Sequence, residues 1–101
     1  MKTIVAILAA VALAPAIAQT KPPIKVVNRV ELSGAGATAG TMFKSGIELA
    51  IKDINAAGGI LGSQIEYTTV DTQTNPGVAK GLASKAVDDN VFAVFGPVYS
   101  G

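Results

Sequence analysis

The chain has 101 residues, eight Lys and Arg against seven Asp and Glu, and neither Cys nor His. Its near-neutral, scattered charge argues against nucleic acid or an anionic membrane as the main target, because both are bound by clustered Lys and Arg. The composition also excludes disulfides, thiolate metal sites and imidazole acid–base chemistry within these residues. With 50% hydrophobic residues, it favours a compact domain, or part of a larger one, over disorder.

The start of the chain has the pattern of an export signal. Lys2 precedes the unbroken apolar stretch Ile4–Leu13, and small residues follow it in alternation. Signal peptidase recognises this combination, and the stretch is shorter than the about 20 residues of a membrane-spanning helix. We therefore predict cleavage after Ala18, or alternatively after Ala16, and a mature exported chain of residues 19–101. An uncleaved membrane anchor is the other interpretation, and without Cys the chain is not a lipoprotein.

The mature chain opens with a predicted strand and helix. The segment Ile24–Leu32 is rich in β-branched residues and is followed by Ser33 and Gly34, which is typical of a strand that runs into a turn. Apolar residues then recur at spacings of three and four, which places them on one face of a helix. These residues are Phe43, Ile47, Ala50, Ile51 and Ile54. Gly58 and Gly59 supply a left-handed stop for this helix.

The second half of the chain repeats the pattern. A predicted strand at Ile65–Val70 is followed by Asp71. Asn75 and Pro76 mark the start of a helix, since Asn caps free amides and Pro is tolerated at the first helical position. The unbroken apolar run Val91–Phe95 predicts a strand covered on both faces. The buried stripe of the second helix is predicted to contain Val78, Ala79, Leu82, Ala83, Ala86 and Val87.

The resulting order, βαβαβ, predicts an α/β fold that begins a three-layer, Rossmann-like parallel sheet, with a helix on each right-handed connection. Such sheets bind ligands beyond the carboxyl ends of their strands. Three loops are predicted at this edge, Ser33–Gly40, Asp71–Asn75 and Pro97–Gly101, and each is rich in small or polar residues. The alternative is that they are ordinary turns.

A glycine cluster between the first strand and helix invites comparison with dinucleotide-binding motifs. The spacing of Gly34, Gly36 and Gly40 is GxGxxxG, whereas the motif requires GxGxxG. The motif also places an acidic residue about 20 positions after its glycines, and Asp71 lies well beyond that distance. There is no GxxxxGK phosphate loop either. The adjacent acidic residues 88–89 point apart on a helix and do not form a cation site. The sequence therefore predicts no cofactor and no metal.

Four segments, in this order and at these distances, resemble the amino-terminal part of the leucine/isoleucine/valine-binding protein family: KVVNRVELSGAG, SGIELAIKDINAAGGILG, IEYTTVDTQTNPGVAKGLASKAV and AVFGPVYSG. These are type I periplasmic solute-binding proteins of bacterial ABC transporters for branched-chain amino acids and related ligands. The resemblance covers the mature chain and implies that residues 19–101 are part of an N-terminal lobe, with the second lobe absent. It also implies a two-lobed monomer at full length, without enzymatic activity, that delivers an amino acid to a membrane permease.

The resemblance further implies which residues meet the ligand. In the family, the loop after the third strand places a Ser hydroxyl against the ligand, and the matching residue is Ser100, between Tyr99 and Gly101. Ser100 could instead cap a following helix, and Tyr99 could stack on the ligand or fill the lobe interface. Ala39 stands where many relatives carry an aromatic residue, so we expect either a wider pocket or a ligand that is less apolar on that side. Glu31 is expected either to pair with a ligand ammonium or to be a solvent-facing or lobe-packing carboxylate.

Family members run to several hundred residues, so we expect this chain to be an N-terminal fragment whose parent binds the ligand while the fragment alone does not. Two other functions stay open. A sensor domain for amides or other small organic molecules would share these features. An exported hydrolase could use Ser100 as nucleophile, although the sequence offers no His as its base. Arg29 is unusual in a covered strand, where its stem could pack while its charged head reaches the sheet edge.

Overall fold

The computed structural model describes residues 21–100; the predicted export signal and Gly101 lie outside the described residues. The elements are β1 (Ile24–Val30), α1 (Ala37–Ala56), β2 (Ile65–Asp71), α2 (Pro76–Asp88) and β3 (Ala93–Phe95). This order confirms the predicted βαβαβ arrangement and the α/β class. Neither of the helices in this range has the length and apolar character needed to cross a membrane.

The three strands form one parallel sheet in the order β2-β1-β3. β1 pairs with β2 from Ile24 opposite Ile65 to Val30 opposite Asp71, and its other edge pairs with the shorter β3. The chain moves to one side of β1 for β2 and returns to the other side for β3. Right-handed crossovers therefore place α1 and α2 on opposite faces of the sheet, which leaves β1 as the central, most enclosed strand.

The core is centred on β1. Val26 and Val30 of this strand are buried, as are Ile51 of α1 and Ala86 of α2. The last two confirm part of the predicted helix faces. The prediction that Val87 is buried is wrong, because this side chain is 77% exposed. Adjacent helix positions are rotated by about 100°, so Val87 turns away from the face that buries Ala86.

The prediction that β3 is covered on both faces is also wrong for the part of the chain that the structure describes. Val94 and Phe95 are exposed, and the preceding Phe92 is 81% exposed. β3 lies at the edge of the sheet, and an apolar groove of about 340 Å³ remains open between it and α1. Ile54, which was predicted to lie on the apolar face of α1, lines this groove and is exposed, and Phe43 in the first half of α1 is exposed as well.

Two strand ends differ from the prediction for reasons of hydrogen bonding. β1 ends before Leu32 because the amide of Leu32 donates to Asp71 Oδ1 at 2.8 Å and not to a neighbouring strand. β3 excludes Val91, because its amide still donates to the carbonyl of Ala86 in α2 at 3.2 Å, whereas the amide of Phe92 already donates to the carbonyl of Lys25 in β1 at 2.8 Å. Both strands are therefore shorter than predicted.

Helix α1 begins earlier than predicted. It starts at Ala37, so the second half of the predicted loop Ser33–Gly40 is helical. The amide of Gly40 donates to the carbonyl of Gly36 at 2.9 Å, which closes the first turn. Gly40 also packs directly on β1, where a Cβ atom would overlap the backbone carbonyl of Glu31. The first turn of α1 is therefore pressed against the carboxyl end of β1.

The other predicted helix ends are confirmed. Asn75 caps α2, since its Oδ1 accepts hydrogen bonds from the amides of Gly77 at 2.8 Å and Val78 at 3.2 Å. Gly58 and Gly59 follow α1 with φ values of +106° and +80°. These left-handed conformations end the helix at little steric cost for glycine.

Candidate functional site

Three loops meet at the carboxyl edge of the sheet: a first loop of residues 31–36, a second loop of residues 72–75 and a third loop of residues 96–100. Because α1 and α2 lie on opposite faces, the connections diverge between β1 and β3. This switch point is where open parallel sheets bind ligands. Hydrogen bonds tie the first loop to the strands and loops on both sides of it.

Glu31 links the first loop to the third. Its side chain is only 3% exposed. Oε2 accepts a hydrogen bond from the amide of Val98 at 3.1 Å, and Oε1 accepts one from the amide of Tyr99 at 3.4 Å. The sequence left open whether this carboxylate faces solvent or packs within the lobe. In the structure it is packed between two loops and does not face solvent.

Arg29 fixes the beginning of the third loop. Its Nη1 donates to the carbonyl of Ala79 in α2 at 2.8 Å, and its Nη2 donates to the carbonyl of Gly96 at 3.4 Å. Gly96 has a φ of +77° and lies so close to β1 that a Cβ atom would overlap the carbonyl of Arg29. From the sequence, the stem of Arg29 was expected to pack and its charged head to reach the sheet edge. The guanidinium in fact donates to two carbonyl groups, one in α2 and one just after β3.

Asp71 organises the contact between the first and second loops. Its Oδ1 accepts from the amides of Leu32 and Gln73, at 2.8 and 2.7 Å, and its Oδ2 accepts from the hydroxyl of Ser33 at 2.6 Å. The hydroxyl of Ser33, followed by the amides of Gln73 and Leu32, holds the pKa of the Asp71 carboxyl below its ordinary value. From the sequence, Asp71 was placed after a strand and at the start of a candidate ligand loop, without these bonds. An Asp followed by a polar loop is also a signal for an Asx turn.

The second loop braces the first through Thr74. Thr74 Oγ1 accepts from the amide of Gly36 at 3.1 Å and donates to the carbonyl of Ser33 at 2.7 Å. Thr74 and the preceding Gln73 have left-handed φ values of +52° and +57°. The hydroxyl therefore serves as both acceptor and donor, and it holds the chain just before α1.

The remaining predicted site residues lie at the same edge but are less constrained. Tyr99 and Ser100 are exposed in the third loop. The ring of Tyr99 lies beside Gly36, where an added Cβ would be 3.0 Å from Cε2. Ala39 lies in the first turn of α1 and not in a loop, and it is half-buried. Gly101 is outside the described range.

A small cavity of about 90 Å³ lies beneath these loops. It is lined by Glu31, Thr72, Thr74 and Tyr99, among others, and the buried hydroxyl of Thr72 has no hydrogen-bond partner in residues 21–100. This space suits a few water molecules, since each takes about 30 Å³, whereas small-molecule pockets measure about 300–1,000 Å³. The described residues therefore form no closed pocket of amino-acid size at this edge.

Comparison with known proteins gives a family match and relatives that agree with one another. Residues 23–101 match the family described as periplasmic binding protein. The leucine-, isoleucine-, valine-, threonine- and alanine-binding protein of Pseudomonas aeruginosa is 38% identical over 77 residues, which are 76% of this chain and 21% of that protein. The leucine-specific-binding protein of Salmonella typhimurium is 38% identical over 99 residues, which are 98% of this chain and 26% of that protein.

A solved structure agrees with these relatives. The branched-chain amino acid transporter substrate-binding protein LivJ of Streptococcus pneumoniae, solved in complex with isoleucine, superposes with a TM-score of 0.72 at 39% identity, over 74% of this chain and 22% of that chain. The chain thus spans about a fifth to a quarter of the length of these relatives. The leucine-, isoleucine- and valine-binding names of these relatives agree with the resemblance found in the sequence, and the family match over residues 23–101 shows that the chain belongs to the periplasmic binding protein family.

Proposed function

We propose that residues 19–101 form part of the N-terminal lobe of an exported solute-binding protein, which captures a branched-chain or related amino acid and delivers it to the permease of an ABC transporter. The likeness to LivJ, which was solved with isoleucine, carries this proposal. In this proposal, the N-terminal lobe supplies one wall of the ligand-binding cleft and a second lobe supplies the other wall. The absence of an amino-acid-sized pocket at the carboxyl edge of residues 21–100 is consistent with that division.

The exposed residues of the third loop suit a zwitterionic ligand. The hydroxyl of Ser100 can donate to a carboxylate or accept from an ammonium group. The half-exposed ring of Tyr99 offers apolar surface beside it. Gly101 would allow close approach of the backbone, and Ala39 leaves room at the start of α1 for a wide pocket.

The proposed activity is binding without turnover. The two lobes would close like a hinge on the ligand, because contacts to both lobes exist only in the closed state and therefore favour it. No proton transfer or covalent step is needed for such a cycle. The predicted signal in residues 1–18 supports a periplasmic location, where a monomeric carrier would meet its permease.

A thermal-shift screen tests the proposal. The protein, purified at its natural length, is heated with single amino acids, with amides and with fatty acids, each at a concentration far above the expected Kd. A ligand present at about 100 times its Kd stabilises the native state by about 2.7 kcal/mol, so a cognate ligand raises Tm clearly. We expect isoleucine, leucine or valine to give the largest rise. A rise only with amides would favour a sensor, and no rise with any amino acid would refute the proposal.

A further inference from the structure

We propose that Glu31 is a positioning residue: it holds the backbone of the third loop in the shape that receives the ligand, and it does not itself contact the ligand. This inference rests on the proposed function, since it concerns the loop that carries Ser100. It selects one of the two roles that the sequence left open for Glu31.

The carboxylate is already occupied. Each of its oxygens accepts a backbone amide of the third loop, from Val98 at 3.1 Å and from Tyr99 at 3.4 Å. A carboxylate that accepts from backbone amides forms stronger hydrogen bonds than a neutral acceptor does. The two bonds therefore tie the residues just before Ser100 to the end of β1.

The surroundings of Glu31 leave its side chain little freedom to turn toward a ligand. A Cβ added to Gly36 would lie 2.9 Å from both Cβ and Cγ of Glu31, so the loop backbone is packed against the stem of this side chain. Gly40 closes on its backbone carbonyl from the first turn of α1. Glu31 is accordingly 3% exposed, whereas the neighbouring Tyr99 and Ser100 are exposed to solvent.

A charged side chain of β1 acts on the same loop. Arg29 lies near the end of β1, and Glu31 follows directly after the last residue of that strand, Val30. Arg29 donates to the carbonyl of Gly96, at the beginning of the third loop, while Glu31 accepts from its middle. The loop is thus fixed at two points before any ligand arrives.

Such preorganisation affects affinity without ligand contact. If the binding-competent loop shape falls from nearly the whole population to about one tenth, the apparent Kd rises about tenfold. Glu31→Gln should cause a change of this kind, because an amide has one acceptor oxygen and its NH₂ group cannot accept the second backbone amide. Amino acid ligands that differ from one another only in their side chains should all lose affinity by the same factor.

The first readout is hydrogen exchange in the natural-length protein without ligand. We expect Glu31→Gln to speed exchange of the amides of Val98 and Tyr99 about tenfold, and by more than it speeds exchange at the core residue Ile51. The matched control is Glu48→Gln, which removes a half-exposed carboxylate of α1 that pairs with Lys44 at 2.8 Å, and it should leave loop exchange unchanged. Unchanged exchange in Glu31→Gln would overturn the proposal.

The second readout is the affinity for isoleucine and valine in the same variants. Faster loop exchange together with an equal loss of affinity for both ligands supports the proposal. A loss of affinity without faster exchange indicates direct contact and overturns it, as does faster exchange with unchanged affinity. If the wild-type protein binds neither amino acid, the proposed function fails, while the exchange data still decide whether Glu31 holds the loop. Should Glu31→Gln fail to fold, Glu31→Asp, which keeps the carboxylate but shortens the side chain by one methylene, is tested with both readouts and judged by the same outcomes.

Discussion

Ser33 donates its hydroxyl hydrogen to Oδ2 of Asp71 at 2.6 Å, and this bond joins the loop after β1 to the end of β2. The other carboxylate oxygen accepts the amides of Leu32 and Gln73. One side chain therefore satisfies two backbone groups and one hydroxyl at the edge where the ligand site is proposed. The arrangement explains why the first loop keeps its shape although it contains several small residues.

Acid should weaken the fold through Asp71. Its pKa is lowered in the folded state by the Ser33 hydroxyl and by two backbone amides. The ionised carboxylate therefore stabilises the fold above the unfolded-state pKa of about 4, and this stabilisation is lost as pH falls through the folded-state pKa. We expect Asp71→Asn to be less stable than the wild type at pH 7, with a difference that shrinks toward pH 2.

The measurement is the free energy of unfolding by urea, from pH 7 to pH 2, for the natural-length protein. The matched control is Asp53→Asn, which removes an exposed carboxylate of α1. Its free energy of unfolding should change between pH 7 and pH 2 by the same amount as that of the wild type. An Asp71→Asn variant whose stability falls with acid as steeply as that of the wild type would contradict the assigned role.

Loss of the α2 cap should destabilise the protein. Asn75 Oδ1 accepts two amides of the first helical turn, and replacing such a cap by Ala costs about 1 kcal/mol. Asn75→Ala is therefore expected to lower the free energy of unfolding by about that amount, whereas Asn75→Asp keeps the acceptor and should stay close to the wild type. Equal stability of the two variants, measured by urea unfolding, would contradict the cap.

Two glycines of α1 should respond in opposite ways to the same substitution. A Cβ at Gly40 would overlap the carbonyl of Glu31, whereas a Cβ at Gly46 would meet no atom within 4 Å. Alanine is favoured over glycine inside a helix by about 1 kcal/mol. Gly46→Ala should therefore raise Tm, and Gly40→Ala should lower it because α1 must move away from β1. A Tm rise in both variants would refute the close packing.

The buried pair Asn28 and Tyr67 gives a prediction in the sheet itself. Asn28 is fully buried, and its Nδ2 donates to the Tyr67 hydroxyl at 2.9 Å. Tyr67→Phe removes this acceptor and should cost about 1–3 kcal/mol of unfolding free energy, the penalty of an unpaired buried donor. Tyr99→Phe removes a hydroxyl from an exposed ring and should change stability by less than about 0.5 kcal/mol. Similar costs for the two variants would speak against the Asn28 bond.

Features with a local cause could be predicted from the sequence. The Asn75 cap and the stop at Gly58 and Gly59 depend on residues within one helical turn, and the structure has all of them. The alternation of strand and helix patterns, together with crossover handedness, was enough for the parallel sheet. The loops predicted from the strand order do lie at the carboxyl edge of the sheet, although Ala39 proved to be helical because α1 begins at Ala37.

Contacts between distant segments could not be predicted in this way. Arg29 bonds to a carbonyl 50 residues away, and Glu31 bonds to an amide 68 residues away. These hydrogen-bond partners can be identified only once β1 is known to lie between β2 and β3. The exposure of β3 could not be predicted for the same reason. An apolar run such as Val91–Phe95 indicates that a segment can be buried, but it does not indicate which element covers it.

Removing the Ser100 hydroxyl should weaken ligand binding. If this group bonds to the ligand, its loss costs about 1.4 kcal/mol, or about tenfold in Kd. Ser100→Ala is therefore expected to bind isoleucine about tenfold more weakly in the natural-length protein. Ser84→Ala, which alters an exposed hydroxyl of α2 bonded to its own helix, should bind like the wild type. Equal affinity of all three proteins would remove Ser100 from the site.

Calorimetric titration of isoleucine into the natural-length protein tests the proposed function most directly. It reports both stoichiometry and affinity without a reporter group, so it separates specific capture from weak surface contact. We expect saturable binding of one isoleucine per protein, without any chemical change in the amino acid. Absence of binding by isoleucine, leucine and valine alike would contradict a role in branched-chain amino acid transport.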